Sequence, residues 1–143
     1  METLVSLNNI DILFRTNLFN LSKVGEHFIN PSCFGEDVAS WFAAKLKERG
    51  YQVSAPWQED WGWQMSASKG ADRYHLGLGG NADEDINVND PNQGEWRIIV
   101  NKDQSFLDRI AGRDKIAVND PLVELIENIL HSESAIRGLE RAS

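Results

Sequence analysis

Trp61-Gly62-Trp63-Gln64-Met65-Ser66-Ala67-Ser68-Lys69-Gly70-Ala71-Asp72-Arg73-Tyr74-His75-Leu76-Gly77-Leu78-Gly79 holds two alternating runs around a turn. In the first run Trp61, Trp63, Met65 and Ala67 share one face, and Gly62, Gln64, Ser66 and Ser68 the other. In the second, Tyr74, Leu76 and Leu78 lie opposite Arg73, His75 and Gly77. A period of two is that of a strand with one buried face. Lys69 to Asp72 reads as a hairpin connection. Consecutive strands joined by so short a turn pair antiparallel.

Upstream, Tyr51-Gln52-Val53-Ser54 reads as a short strand that Pro56 ends. Before it, Phe34, Val38, Trp41, Phe42 and Leu46 fall on one face of a helix over about 34 to 49. Glu36 and Asp37 in its first turn, and Lys45, Lys47 and Arg49 in its last, suit the macrodipole. Gly50 is placed to end it. Val24-Gly25 and Asn30-Pro31 mark a loop over 22 to 34. Phe14, Thr16, Leu18 and Asn20 alternate with Arg15, Asn17, Phe19 and Leu21, which predicts a strand over 11 to 21, with residues 1 to 10 as a short arm.

Downstream, residues 81 to 95 form a polar loop with five acids and no basic residue. Trp96, Ile98 and Val100 against Arg97 and Ile99 give a strand over 95 to 101. Ser105-Phe106-Leu107-Asp108 resembles a capping box and opens a short helix that Gly112 closes. Asp120-Pro121 is an N-cap followed by proline at N1. Leu122, Ile126, Ile129 and Leu130 line one face of that second helix, and the tail after His131 extends it or frays. The chain is therefore expected to be a single α+β domain over residues 1 to 143. It would hold one mainly antiparallel sheet of four or five strands, the first helix packed across it, and two C-terminal helices.

His27-Phe28-Ile29-Asn30-Pro31-Ser32-Cys33-Phe34-Gly35-Glu36-Asp37, then Gly50-Tyr51-Gln52-Val53-Ser54, then Glu59-Asp60-Trp61-Gly62-Trp63 appear in that order. The set resembles a family of small bacterial proteins with no established activity, over about residues 26 to 100. The resemblance implies a bacterial origin and carries over no catalytic residue.

The chain has 143 residues, a hydrophobic content of 41%, a charged content of 25% and a formal net charge of -8. That length supports a real core, and the charge disfavours nucleic acid and anionic membrane as partners. Cys33 is the one cysteine, so there is no internal disulfide and no thiol metal cluster. No apolar run reaches membrane-spanning length, and the N-terminus lacks a basic region, so the expected setting is cytoplasmic.

The densest chemistry is at Trp57, Glu59, Asp60, Trp61 and Trp63. Paired carboxylates among indoles suit acid–base work or a metal ion, but a capped turn beside core tryptophans is the favoured reading. Successive side chains of an extended segment point to opposite faces, so Glu59, on the core face of Trp61 and Trp63, is expected to be enclosed and Asp60 to face outward. His27 and His75 have no metal-ligand spacing. Cys33 has no identifiable base and reads as a buried structural thiol. Asp83, Glu84 and Asp85 alternate with other oxygen ligands but lack the glycine and glutamate of a calcium loop. No metal or other cofactor is expected. The reading that fits best is a non-catalytic protein-binding domain whose acidic, tryptophan-rich surface meets a basic protein, an immunity-type protein being one form. The alternative is a small-molecule-binding protein or hydrolase using Glu59, Asp60 and His75 in a tryptophan-lined pocket. A domain whose main property is oligomerisation is the plainest case.

Overall fold

In a computed structural model of the chain the described residues are 6–7, 9–19, 34–59, 62–82, 94–103 and 116–142. The order of elements is β1 (Ser6–Leu7), β2 (Ile10–Thr16), α1 (Glu36–Glu48), β3 (Gln52–Val53), β4 (Trp57–Glu59), β5 (Gly62–Lys69), β6 (Asp72–Ala82), β7 (Gly94–Asp103), β8 (Ile116–Ala117), α2 (Pro121–His131) and β9 (Arg137–Ala142). The class is α+β. Seven strands form one antiparallel sheet in the order β3-β5-β6-β7-β2-β9, with β4 also paired to β5. A separate two-stranded pair joins β1 to β8.

The alternation read from the sequence sets the layers. Ile10, Ile12 and Phe14 of β2, Met65 and Ala67 of β5, Tyr74, Leu76 and Leu78 of β6, and Trp96, Ile98 and Val100 of β7 are all buried in one core. Cross-strand partners such as Met65 and Leu76, or Leu78 and Ile98, share that face. The helices add Val38, Ala39, Phe42 and Leu46 from α1 and Leu122, Val123, Ile126, Ile129 and Leu130 from α2. Each large apolar side chain so enclosed contributes about 1.5–3 kcal/mol relative to exposure.

α1 ends as its sequence dictates. Gly50 has φ +88°, a conformation that L side chains rarely adopt. Its N–H donates to Lys47 O, and the Tyr51 N–H to Leu46 O, both at 3.1 Å. That pair of bonds is the Schellman arrangement, and Leu46 and Tyr51 are both buried in the core. α2 begins as expected, with the Asp120 side chain accepting from Leu122 N and Pro121 in the first turn. On the core face of β6, Gly80 lies opposite Trp96. A Cβ there would stand 2.5 Å from the indole, so only glycine leaves room for that ring.

Several expectations change. Within the described residues the sheet has seven strands rather than four or five, because β4, three residues long, and β9, largely polar, add to the strands expected. The first strand stops at Thr16, and Leu18 beyond it is exposed. β6 and β7 run further than the sequence suggested: Asn81 pairs with Glu95 and Ala82 with Gly94, so the ends of the 81 to 95 loop are strand. The tail after His131 neither extends α2 nor frays; it returns as β9 and pairs with β2. The helix expected over 105 to 112 lies outside the described residues, and α1 and α2 are the two helices within them.

Candidate functional site

β4 and β5 meet at a tight corner in which Trp57 opposes Gln64, Gln58 opposes Trp63 and Glu59 opposes Gly62. Directly opposed residues in an antiparallel pair share a face. Gln58 therefore turns inward with Trp63, and Trp57 and Glu59 turn to the face away from the helices. This overturns the expectation that Glu59 is enclosed. The alternation does not run through 59 to 63 because the chain reverses between Glu59 and Gly62, and the pattern restarts on β5. Glu59 is exposed. Trp63 is 1% exposed and Trp57 is 36% exposed. The Trp57 indole Nε1–H donates to Glu59 Oε1 at 2.8 Å. That bond holds an exposed aromatic ring beside a carboxylate.

His75 lies on the same sheet face as Glu59 but not near it. It opposes Ser66 on β5, four residues along from Gly62. Two strand spacings and that offset separate Glu59 from His75 by about 17 Å between Cα atoms. His75 Nε2 is instead 3.1 Å from Asp103 Oδ2. Glu59 and His75 do not act on one bond, and the Trp63 indole is on the other side of the sheet from both. Asp60, Trp61, Asp83, Glu84 and Asp85 lie outside the described residues, as do His27 and Cys33. No family model, curated protein or solved structure matches the chain. Function is therefore read from its own side chains.

An enclosed polar assembly among the described residues was not visible in the sequence. Asp120 is 2% exposed. Its Oδ1 accepts from Leu122 N at 2.9 Å, and its Oδ2 accepts from the Tyr74 hydroxyl at 3.1 Å and Lys102 Nζ at 3.3 Å. Lys102 also reaches Asp72 Oδ1 at 3.3 Å and stands 5.5 Å over the Tyr74 ring. Burial first, then the hydrogen bond to Asp120 and its charge, push the Tyr74 hydroxyl well above the usual tyrosine range. Burial likewise raises Tyr51, with Asp120 and Asp72 adding to it. For Lys102 burial acts downward but is outweighed by Asp120 and Asp72, so its ammonium is held above the ordinary lysine value. Tyr74 is thus neutral and Lys102 cationic, with both Asp120 oxygens engaged. The assembly fastens α2 to β6 and β7 and offers no idle acid or base. The available signal was Tyr74 itself: a tyrosine on an inward strand face needs a partner for its hydroxyl.

Elsewhere, a polar depression of about 360 Å³ on α2 is lined by Glu124, Glu127, Asn128 and His131. Glu127 there is held by Arg141 in a two-pronged contact at 2.6 and 2.8 Å. Among the described residues no three His, Cys, Asp or Glu side chains gather to hold a metal ion, and no helix is long and apolar enough to cross a membrane.

Proposed function

We propose that the chain is a non-catalytic protein-binding domain that meets a basic partner at the corner between β4 and β5, an immunity-type protein being one form. The observation that carries this reading is the exposed Trp57 ring fixed against Glu59. A tryptophan already held in place loses little freedom on contact, and tryptophan is enriched among residues that dominate interface energies. Charge supports the same reading. The formal net charge is -8. Arg15, Arg97, Lys102 and Arg141 are spent on Glu95, Asp11, Asp120 with Asp72, and Glu127. The excess acid favours encounter with a cationic surface. A cytoplasmic setting fits a chain with one cysteine.

The test is co-purification from cells that express the chain, with the wild type and Trp57→Ser as bait. A basic protein recovered by the wild type at low salt, lost at high salt and lost with the variant is the expected result. Recovery of no protein, or of one that is indifferent to both salt and Trp57, would overturn the proposal.

A further inference from the structure

Three aromatic rings in the described residues have a lysine above them: Trp41 under Lys45 at 5.4 Å, Tyr51 under Lys69 at 5.4 Å and Tyr74 under Lys102 at 5.5 Å. The Tyr74 case is the most complete. Its hydroxyl donates to a carboxylate, Asp120, and the ammonium above the ring shares that carboxylate. Ring, donor, carboxylate and cation form one closed set. Trp57 and Glu59 reproduce the first three members. The indole N–H donates to the carboxylate at 2.8 Å, and both side chains are exposed. Among the described residues no lysine or arginine stands over the Trp57 ring.

We infer that Trp57 and Glu59 together receive a lysine side chain of the partner protein, whose ammonium takes over this ring the place that Lys102 takes over Tyr74. The inference rests on the protein-binding reading and names the group recognised. The chemistry is complementary at each contact. The indole face is the negative end of the ring quadrupole and attracts a cation. By donating its N–H to Glu59, the ring keeps the carboxylate at its edge, within reach of an ammonium above it. The excess of acid over base in the chain has the sign that draws such a group in. The site lies at the sheet edge, where a side chain projecting from another protein reaches it without disturbing the core.

The experiment uses the full chain labelled with nitrogen-15 and follows the indole N–H signals, of which five tryptophans give five. Trp57→Phe identifies the Trp57 signal by its loss. The probe is a blocked Gly-Lys-Gly peptide, with the acetyl-lysine and arginine peptides as comparisons. The lysine peptide is expected to shift the Trp57 signal saturably, with a dissociation constant on the order of millimolar. The acetyl-lysine peptide should leave the signal in place. Glu59→Gln keeps an acceptor for the indole N–H but removes the charge, and should weaken the lysine peptide about threefold. An equal shift by the acetyl-lysine peptide, a shift by the arginine peptide alone, or unchanged binding in Glu59→Gln would each overturn the inference. A basic partner that binds wild type and Trp57→Phe equally, without moving the Trp57 signal, would overturn this site while leaving a protein-binding domain that uses another surface. Melting curves of both variants check that each remains folded.

Discussion

Asp120→Ala removes two things at once, and a double-mutant cycle with Tyr74→Phe separates them. The first loss is the N-cap of α2, worth about 1 kcal/mol. The second is the acceptor of the Tyr74 hydroxyl, which sits on a side chain 1% exposed and has water for a substitute only if the fold opens. Orphaning such a donor costs about 1–3 kcal/mol. Lys102 adds little, because it is partly exposed and keeps Asp72. The single variant should therefore lose about 2–4 kcal/mol, or roughly 6–12 °C in melting temperature for a chain of this size. With Tyr74→Phe already in place no hydroxyl remains to be orphaned, and Asp120→Ala should cost only the cap, about 1 kcal/mol. The coupling between the two sites is then about 1–3 kcal/mol, the cost of the orphaned hydroxyl. Urea unfolding of the four proteins, followed by far-UV circular dichroism, measures it. Equal costs of Asp120→Ala in both backgrounds would refute the account of Asp120 as the acceptor on which Tyr74 depends.

Phe42→Ala, in a side chain 1% exposed beneath the sheet, should destabilise by about 3–5 kcal/mol, and an unchanged melting temperature would refute the assigned face of α1. Gly80→Ala drives a methyl group into the Trp96 ring, which Phe19 flanks edge-on at 5.6 Å. It should cost about 1–3 kcal/mol and alter tryptophan fluorescence, and wild-type stability with an unchanged spectrum would contradict the packing. Tyr74, Tyr51 and Lys102 all hold their protons more firmly when folded. Their contributions are intact below pH about 10 and fall as pH rises past it, by up to about 1.4 kcal/mol per pH unit for Tyr74. Tyr74→Phe should flatten that alkaline decline, which denaturant titrations across pH would measure. Glu59→Gln, on an exposed side chain, should change stability by less than about 0.5 kcal/mol, and a larger loss by thermal melting would return Glu59 to an enclosed position.

Periodicity carried the reading wherever one face of an element is buried and the other is not. The Met65 and Tyr74 runs, the α1 face and the Asp120-Pro121 start of α2 were all legible because each side chain reports its own environment. β9 was not, since Arg137, Gly138 and Glu140 of an edge strand are all exposed and leave no apolar alternation to find. β4 failed for another reason. It is three residues long, and its inward member is Gln58, so nothing marked the reversal that follows it. Missing that reversal placed Glu59 in the core, while the exposed Trp57 and its bond to Glu59 follow only once β4 is seen. The Tyr74–Asp120–Lys102 set was hidden by distance: Tyr74 and Asp120 are 46 positions apart, and no local pattern links them.

The position of β2 has a kinetic consequence. It lies between β7 and β9, with Asp11 meeting Arg97 across 86 positions and Thr16 meeting the Ala135 carbonyl across 119. The β5–β6 hairpin needs only a short loop to close, but β2 waits for segments made long after it. Contacts so distant in sequence slow folding, because the intervening chain is ordered before they form. Until β7 and β9 arrive, Ile10, Ile12 and Phe14 belong to a strand with two unsatisfied edges. That interval, more than any weakness of the finished sheet, is when this chain is most open to pairing with another copy of itself.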